Sequence, residues 1–141
     1  MRITGDIYNL ILSKMPVVPP ETGGIIGSVD DIICTVVFDM KNTETKSAVY
    51  VPDIYFLNEC ISEWAEDNIR FEGIFHSHPY GQNYLSVADV EYIEKIMQEL
   101  PENINQLYFP IVFPKHEIIS FRAEKSDSIR IFNDNMVVVN N

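Results

Sequence analysis

The apolar positions change period several times along the chain, and each change marks an element. Over residues 5–15, Ile7, Leu10, Ile11 and Met15 recur at helical spacing, and Pro16 stops the helix. Val17-Val18-Pro19-Pro20 reads as an extended connector, because proline fixes φ and disfavours helix in the residue before it. Residues 21–27 form a glycine-rich strand, 28–31 a turn, and 32–38 a second strand, β-branched and apolar on both faces. A polar loop over 39–46 leads to a short strand at 47–51, closed by Pro52. The next helix, about 53–67, sets Ile54, Leu57, Ile61, Trp64 and Ala65 on one stripe, with Trp64 assigned to the core.

Residues 70–75 are a strand that runs on into His76-Ser77-His78-Pro79. After a short loop, a helix from Ser86 to about Leu100 places Val87, Val90, Ile93, Ile96, Met97 and Leu100 on its buried side, and Pro101 ends it. Strands follow at 107–113, 117–123 and 128–132, with a last one over 136–139, and 114–116 supply a tight turn. Grouped strands interrupted by helices predict an α+β fold of α/β-like character, a mixed β-sheet flanked by helices. There are no internal repeats and no dividing linker. Residues 1–141 are therefore read as a single domain, long enough to bury a core without disulfides.

Composition narrows the function more than the fold. Ten basic and 21 acidic residues leave a net charge of −11, which argues against a nucleic-acid backbone as partner. The Asp30-Asp31 pair reads as a solvated turn. Cys34 and Cys60 fall within a strand and a helix, with no Cys-x-x-Cys spacing, and are expected to be buried and reduced. The first residues lack the pattern of a signal peptide, and no apolar run approaches the roughly 20 residues needed to cross a bilayer. A cytoplasmic, membrane-free protein is expected.

The candidate chemistry sits in Phe75-His76-Ser77-His78-Pro79 and the stretch after it. Side chains alternate along a strand, so His76 and His78 share a face and Ser77 points away. On the following helix Ser86 and Asp89 lie three apart and share a face. Ser-x-x-Asp before an apolar-periodic run also reads as a helix N-cap with an acid in the first turn, and the two roles are compatible. Folding the helix start over the strand end brings two imidazoles to one carboxylate, three ligands that zinc accepts, with a fourth place for water. The remaining histidine, His116, sits in a turn and reads as solvent-facing.

His-Ser-His-Pro, six intervening residues, then Ser-Val-Ala-Asp, with Glu21 upstream in the glycine-rich strand, resembles the JAMM metalloprotease family, also called JAB or MPN-plus. The order of elements matches that domain over nearly the whole chain. The resemblance implies a JAB/MPN domain akin to the cytidine-deaminase-like fold, binding one Zn²⁺ per chain through His76, His78, Asp89 and a water. It implies Glu21 as the general base that takes the proton of that water and returns it to the leaving amine. It implies Ser86 as the residue that stabilises the oxyanion. Gly23 and Gly24 would let another chain approach the backbone closely.

Members of the family cleave a peptide or isopeptide bond after the C-terminal tail of ubiquitin or a ubiquitin-like protein, which adds to the enzyme as an extended strand. Residues 80–84 and 39–46 would flank such a slot. This chain has no room for both insertions of the eukaryotic deubiquitinating members. It is similar instead to compact prokaryotic JAB domains, some associated with ThiF-like activating enzymes and ubiquitin-like or sulfur-carrier proteins. Deconjugation and precursor processing share the same chemistry and both stay open. The alternatives are a catalytically silent MPN-type binding scaffold, and a different metal hydrolase or cupin-like His-x-His site. Iron or cobalt would suit the same ligand set.

Overall fold

The computed structural model describes residues 1–40 and 50–140. Among these, nine strands form one mixed sheet: β1 (Arg2–Thr4), β2 (Gly23–Val29), β3 (Ile32–Asp39), β4 (Arg70–Ser77), β5 (Gln106–Tyr108), β6 (Ile111–Phe113), β7 (Glu117–Lys125), β8 (Ile129–Asp134) and β9 (Val137–Val139). The helices are α1 (Gly5–Lys14), α2 (Ile54–Glu66) and α3 (Val87–Glu99). Strand neighbours run β5-β7-β6-β4-β2-β3-β1-β9, with β8 on β7. The centre, β3-β2-β4, is antiparallel, while β4 meets β5 and β6 in parallel and β1 is parallel to β3 and β9. The chain is α+β, as the grouping of its strands predicts.

Alternation along the central strands divides the core into two layers. Ile25, Ile74, Ile111 and Phe113 pack with Leu57 and Trp64 of α2 and Ile93 and Met97 of α3. Their neighbours Ile26, Phe75 and Val112 pack on the opposite side with Ile11 of α1, Met15 just after it, and Ile3 and Ile33. Of the described helices, one thus covers one face and two cover the other. Each helix starts on a side chain that accepts a backbone N–H: Thr4 for α1, Asp53 for α2 and Ser86 for α3. By parity with Ile74, His76 and His78 belong to the face covered by α2 and α3.

Several sequence-based expectations need correction. The strand expected at 107–113 is two short strands, since the chain passes from pairing β7 through Gln106–Tyr108 to resuming at Ile111 beyond Phe109 and Pro110. Ser28, expected in a turn, is a buried member of β2, and the turn is confined to Asp30 and Asp31, both in left-handed backbone. Of the expected strand at 47–51, Ser47 to Val49 lie outside the described residues, and Tyr50 and Val51 belong to no strand. Leu57 and Trp64 are buried as predicted, but Ile54 (54% exposed), Val87 (77% exposed) and Ala65 face solvent. Cys34 and Cys60 are free thiols, half-buried and not fully enclosed. No helix among the described residues is long and apolar enough to cross a membrane.

Candidate metal centre

The end of β4 delivers both imidazoles to the same side, and both are buried. The sheet fixes their backbone: His76 donates its N–H to the Pro110 carbonyl (3.2 Å) and His78 to that of Val112 (3.0 Å). Asp89 reaches them from the first turn of α3. Ser86 and Asp89 form a reciprocal capping box, in which the Ser86 Oγ accepts the Asp89 N–H (3.1 Å) and Asp89 Oδ2 accepts the Ser86 N–H (2.9 Å). The cap and the site are therefore one arrangement. The bond that starts the helix also aims its acid.

Two imidazole nitrogens and both oxygens of one carboxylate meet at short range. His76 Nε2 and His78 Nε2 are 2.9 Å apart, His78 Nε2 lies 3.0 Å from Asp89 Oδ2, and His76 Nε2 lies 3.3 Å from Asp89 Oδ1. The Nδ1 of His78 faces the Gln82 carbonyl at 3.1 Å. A carbonyl can only accept, so this nitrogen carries a proton. With a neutral ring, the Nε2 lone pair of His78 would face a carboxylate and another imidazole without a cation between them. A proton on His76 Nε2, shared with that lone pair and the carboxylate, or a metal ion between the three groups would satisfy the cluster. Tetrahedral binding at about 2.0–2.1 Å separates neighbouring donors by roughly 3.3 Å, close to the spacings observed.

The acid and the imidazoles also shift one another's protonation. Burial alone raises the Asp89 pKa, but hydrogen bonds from His76 and His78, the charge of His76 and the Ser86 N–H outweigh it. The carboxyl is held far below the usual carboxylate range. Burial alone lowers the His78 pKa, yet Asp89, the Gln82 carbonyl and the charge of Glu21 together lift it above its ordinary value. Glu21, His76 and His78 each bring a ligand atom within 4.8 Å of the others, so this group could hold a metal ion.

Glu21 comes from a separate segment, just before β2. The adjoining residue is clamped to β4: Ser77 donates its N–H to the Thr22 carbonyl (2.8 Å), and Ser77 Oγ accepts the Thr22 N–H (2.9 Å). Ser77, between the two histidines, thus positions the glutamate while its neighbours face the centre. Nothing in the sequence pattern pointed to this role beyond the parity that turns Ser77 away from the histidines. Gly23 and Gly24 do allow close approach, but by the fold itself. A Cβ at Gly23 would lie 2.4 Å from the Phe75 carbonyl oxygen and 2.5 Å from the Tyr50 ring, and one at Gly24 would lie 2.1 Å from the Val37 carbonyl oxygen.

A pocket of about 240 Å³ opens beside the centre, lined by Glu21, Tyr50, Val51, Pro52, His76, Ala88, Asp89 and Tyr92. Buried Asp39 holds one wall, accepting from the Tyr50 hydroxyl (2.9 Å) and the Asp53 N–H (2.7 Å). Burial, reinforced by Asp39, pushes the Tyr50 phenol far above its ordinary pKa. Burial likewise raises Tyr92, whose hydroxyl is enclosed without a hydrogen-bond partner among the described residues. No spacing signal marks Asp39, expected in a polar loop but found at the end of β3, or Tyr50, expected in a short strand. Of the residues expected to flank a slot, 41–46 lie outside the described residues, while Tyr80 and Tyr84 are exposed beside the site loop. His116 is exposed, as expected, but its ring stacks on Tyr80.

No model of a known protein family and no curated protein matches the chain. Solved structures do. The solution structure of a protein from Desulfitobacterium hafniense superposes with a TM-score of 0.67 at 14% identity, covering 99% of this chain and 93% of that one. That of a protein from Salinibacter ruber gives a TM-score of 0.57 at 16% identity, covering 99% and 92%. At such identities the likeness concerns the fold alone. It shows the α+β architecture recurring over essentially the full length of both.

Proposed function

We propose that the chain is a zinc-dependent peptidase or isopeptidase that cleaves after the Gly-Gly-type tail of a ubiquitin-like or sulfur-carrier protein. One observation carries the reading. His76 and His78 lie together with Asp89 on one side and with Glu21 within reach on another, two groupings that share the imidazoles and could hold a metal ion. The substrate class comes from the resemblance of the motif to the JAMM family.

His76, His78 and Asp89 would hold the ion, which when bound supplies Lewis acidity and acidifies a water toward neutral pH. Glu21 takes a proton from the attacking water and returns it to the departing amine, so the carboxylate is regenerated each turnover. Ser86 already accepts the Asp89 N–H, which leaves its O–H as a donor for the oxygen that becomes negative as the carbonyl is attacked. The pocket walls, chiefly Tyr50, Val51, Pro52, Ala88 and Tyr92, suit small residues beside the scissile bond. A ThiF-like activating enzyme would be a natural companion of such a substrate.

The test uses zinc-loaded protein with two substrates, a linear fusion after Gly-Gly and an isopeptide conjugate, beside Glu21→Ala. Loss of the base should retain the metal and slow cleavage by about 10²–10⁴-fold. Equal cleavage by both proteins would remove Glu21 from the reaction. Metal bound with neither substrate cut would reject the substrate class, and no metal bound would leave a protein-binding scaffold.

A further inference from the structure

The loop that completes the His78 environment is held from outside by aromatic rings. Gln82 donates its N–H to the Pro79 carbonyl (3.2 Å), closing a turn through Tyr80 and Gly81, with Gly81 at φ +97°. That is the third place of a four-residue turn, where a type II turn needs a left-handed residue and glycine supplies it without strain. Gln82 then presents the carbonyl that fixes the proton on His78 Nδ1. Tyr80, at the corner of this turn, is 67% exposed and would be free to swing if nothing held its ring.

Two rings hold it. His116 stacks on Tyr80 with centroids 4.1 Å apart and planes at 26°, and Phe113 meets it edge to face at 6.1 Å. Both come from the β6–β7 hairpin, whose tip is itself braced: His116 donates its N–H to the Phe113 carbonyl (2.9 Å), and Lys115 to the Leu12 carbonyl at the end of α1 (3.0 Å). The same hairpin accepts the His78 N–H at Val112. One rigid hairpin therefore grips the strand end that carries His78 and the turn that sets its tautomer. We infer that His116 and Tyr80 are positioning residues for the metal centre, whose stacked rings hold the Gln82 carbonyl on His78 Nδ1 and so keep its Nε2 directed at the ion.

The inference rests on the metal-binding reading proposed above, and its test separates the two. Zinc affinity is measured by competition with a chromophoric chelator for the wild type, Tyr80→Ala, His116→Ala and His116→Phe, with thermal melts to confirm that each is folded. Partners of a ligating histidine typically matter by 10–100-fold in metal affinity. Tyr80→Ala and His116→Ala should weaken zinc binding by about tenfold, at the low end because they act through the loop. His116→Phe, which keeps a ring but no imidazole nitrogen, should restore it to within about threefold. A His116→Ala protein that binds as tightly as wild type, or a His116→Phe protein no better than His116→Ala, would overturn the inference. Nitrogen NMR of the histidines in metal-free protein gives a second readout that needs no metal. The His78 Nδ1 proton should be observable and slow to exchange in the wild type and lost in His116→Ala, and an unchanged signal would refute the idea even if wild type bound no zinc.

Discussion

Replacing Ser77 by alanine removes one oxygen atom from the centre of the fold, and the consequences can be worked through. Ser77 is fully buried, and its Oγ accepts the Thr22 N–H at 2.9 Å. Without it that N–H has no acceptor and no access to water, which costs about 1–3 kcal/mol. For a chain of this size each kcal/mol corresponds to roughly 2–4 °C in Tm. The neighbouring hydroxyl is an internal control: Thr22 Oγ1 is buried with no partner among the described residues, so Thr22→Val removes an unsatisfied group and should change stability by less than about 0.5 kcal/mol, or raise it. Glu21 adjoins the same clamp, and its side chain lies 3.5 Å from the Tyr50 N–H, at the limit of a hydrogen bond. Ser77→Ala should therefore depress cleavage by more than tenfold while zinc affinity falls by much less. Urea denaturation of the two variants, with chelator competition and cleavage assays, makes the comparison. Equal stabilities for Ser77→Ala and Thr22→Val would refute the clamp.

Two other expectations concern the same centre. In metal-free protein the raised pKa of His78 contributes stability that is complete below about pH 6.5 and lost as pH rises through the folded value, while the lowered pKa of Asp89 contributes stability present above about pH 3.9 and lost on acidification. Chelator-treated protein should thus melt at lower temperature between pH 6 and 8, zinc should abolish that decline, and parallel melting curves with and without zinc would contradict the scheme. Tyr92→Phe removes a buried hydroxyl that makes no hydrogen bond among the described residues, and should leave the protein as stable or raise its Tm by a few degrees; a loss of more than about 1 kcal/mol would mean that the hydroxyl has a partner in solution.

What could be read from the sequence was local. His76 and His78 share a face because strands alternate, and Ser86 and Asp89 announce a capping box because the bonding partners are three residues apart. The helix ends at Pro16 and Pro101 are local for the same reason. What escaped depends on distant partners. Strand β1 is three residues long and exists only through parallel pairing with β3 and β9, from opposite ends of the chain. Ser77 acquires its role from Thr22, 55 positions away. Val87 and Ile54 fit an apolar stripe by period, yet each is the first residue of its helix and faces solvent. Glu21 was placed by the motif's resemblance alone, since no periodicity marks an acid before a strand.

The central claim is that His76, His78 and Asp89 surround a metal ion. Zinc titration of chelator-stripped protein, followed by metal analysis after desalting, tests it most directly when His78→Ala and Asp89→Ala are carried in parallel. The account predicts one zinc per wild-type chain and a loss of at least two orders of magnitude in affinity in either variant. Weak or superstoichiometric binding that is the same in all three proteins would contradict it.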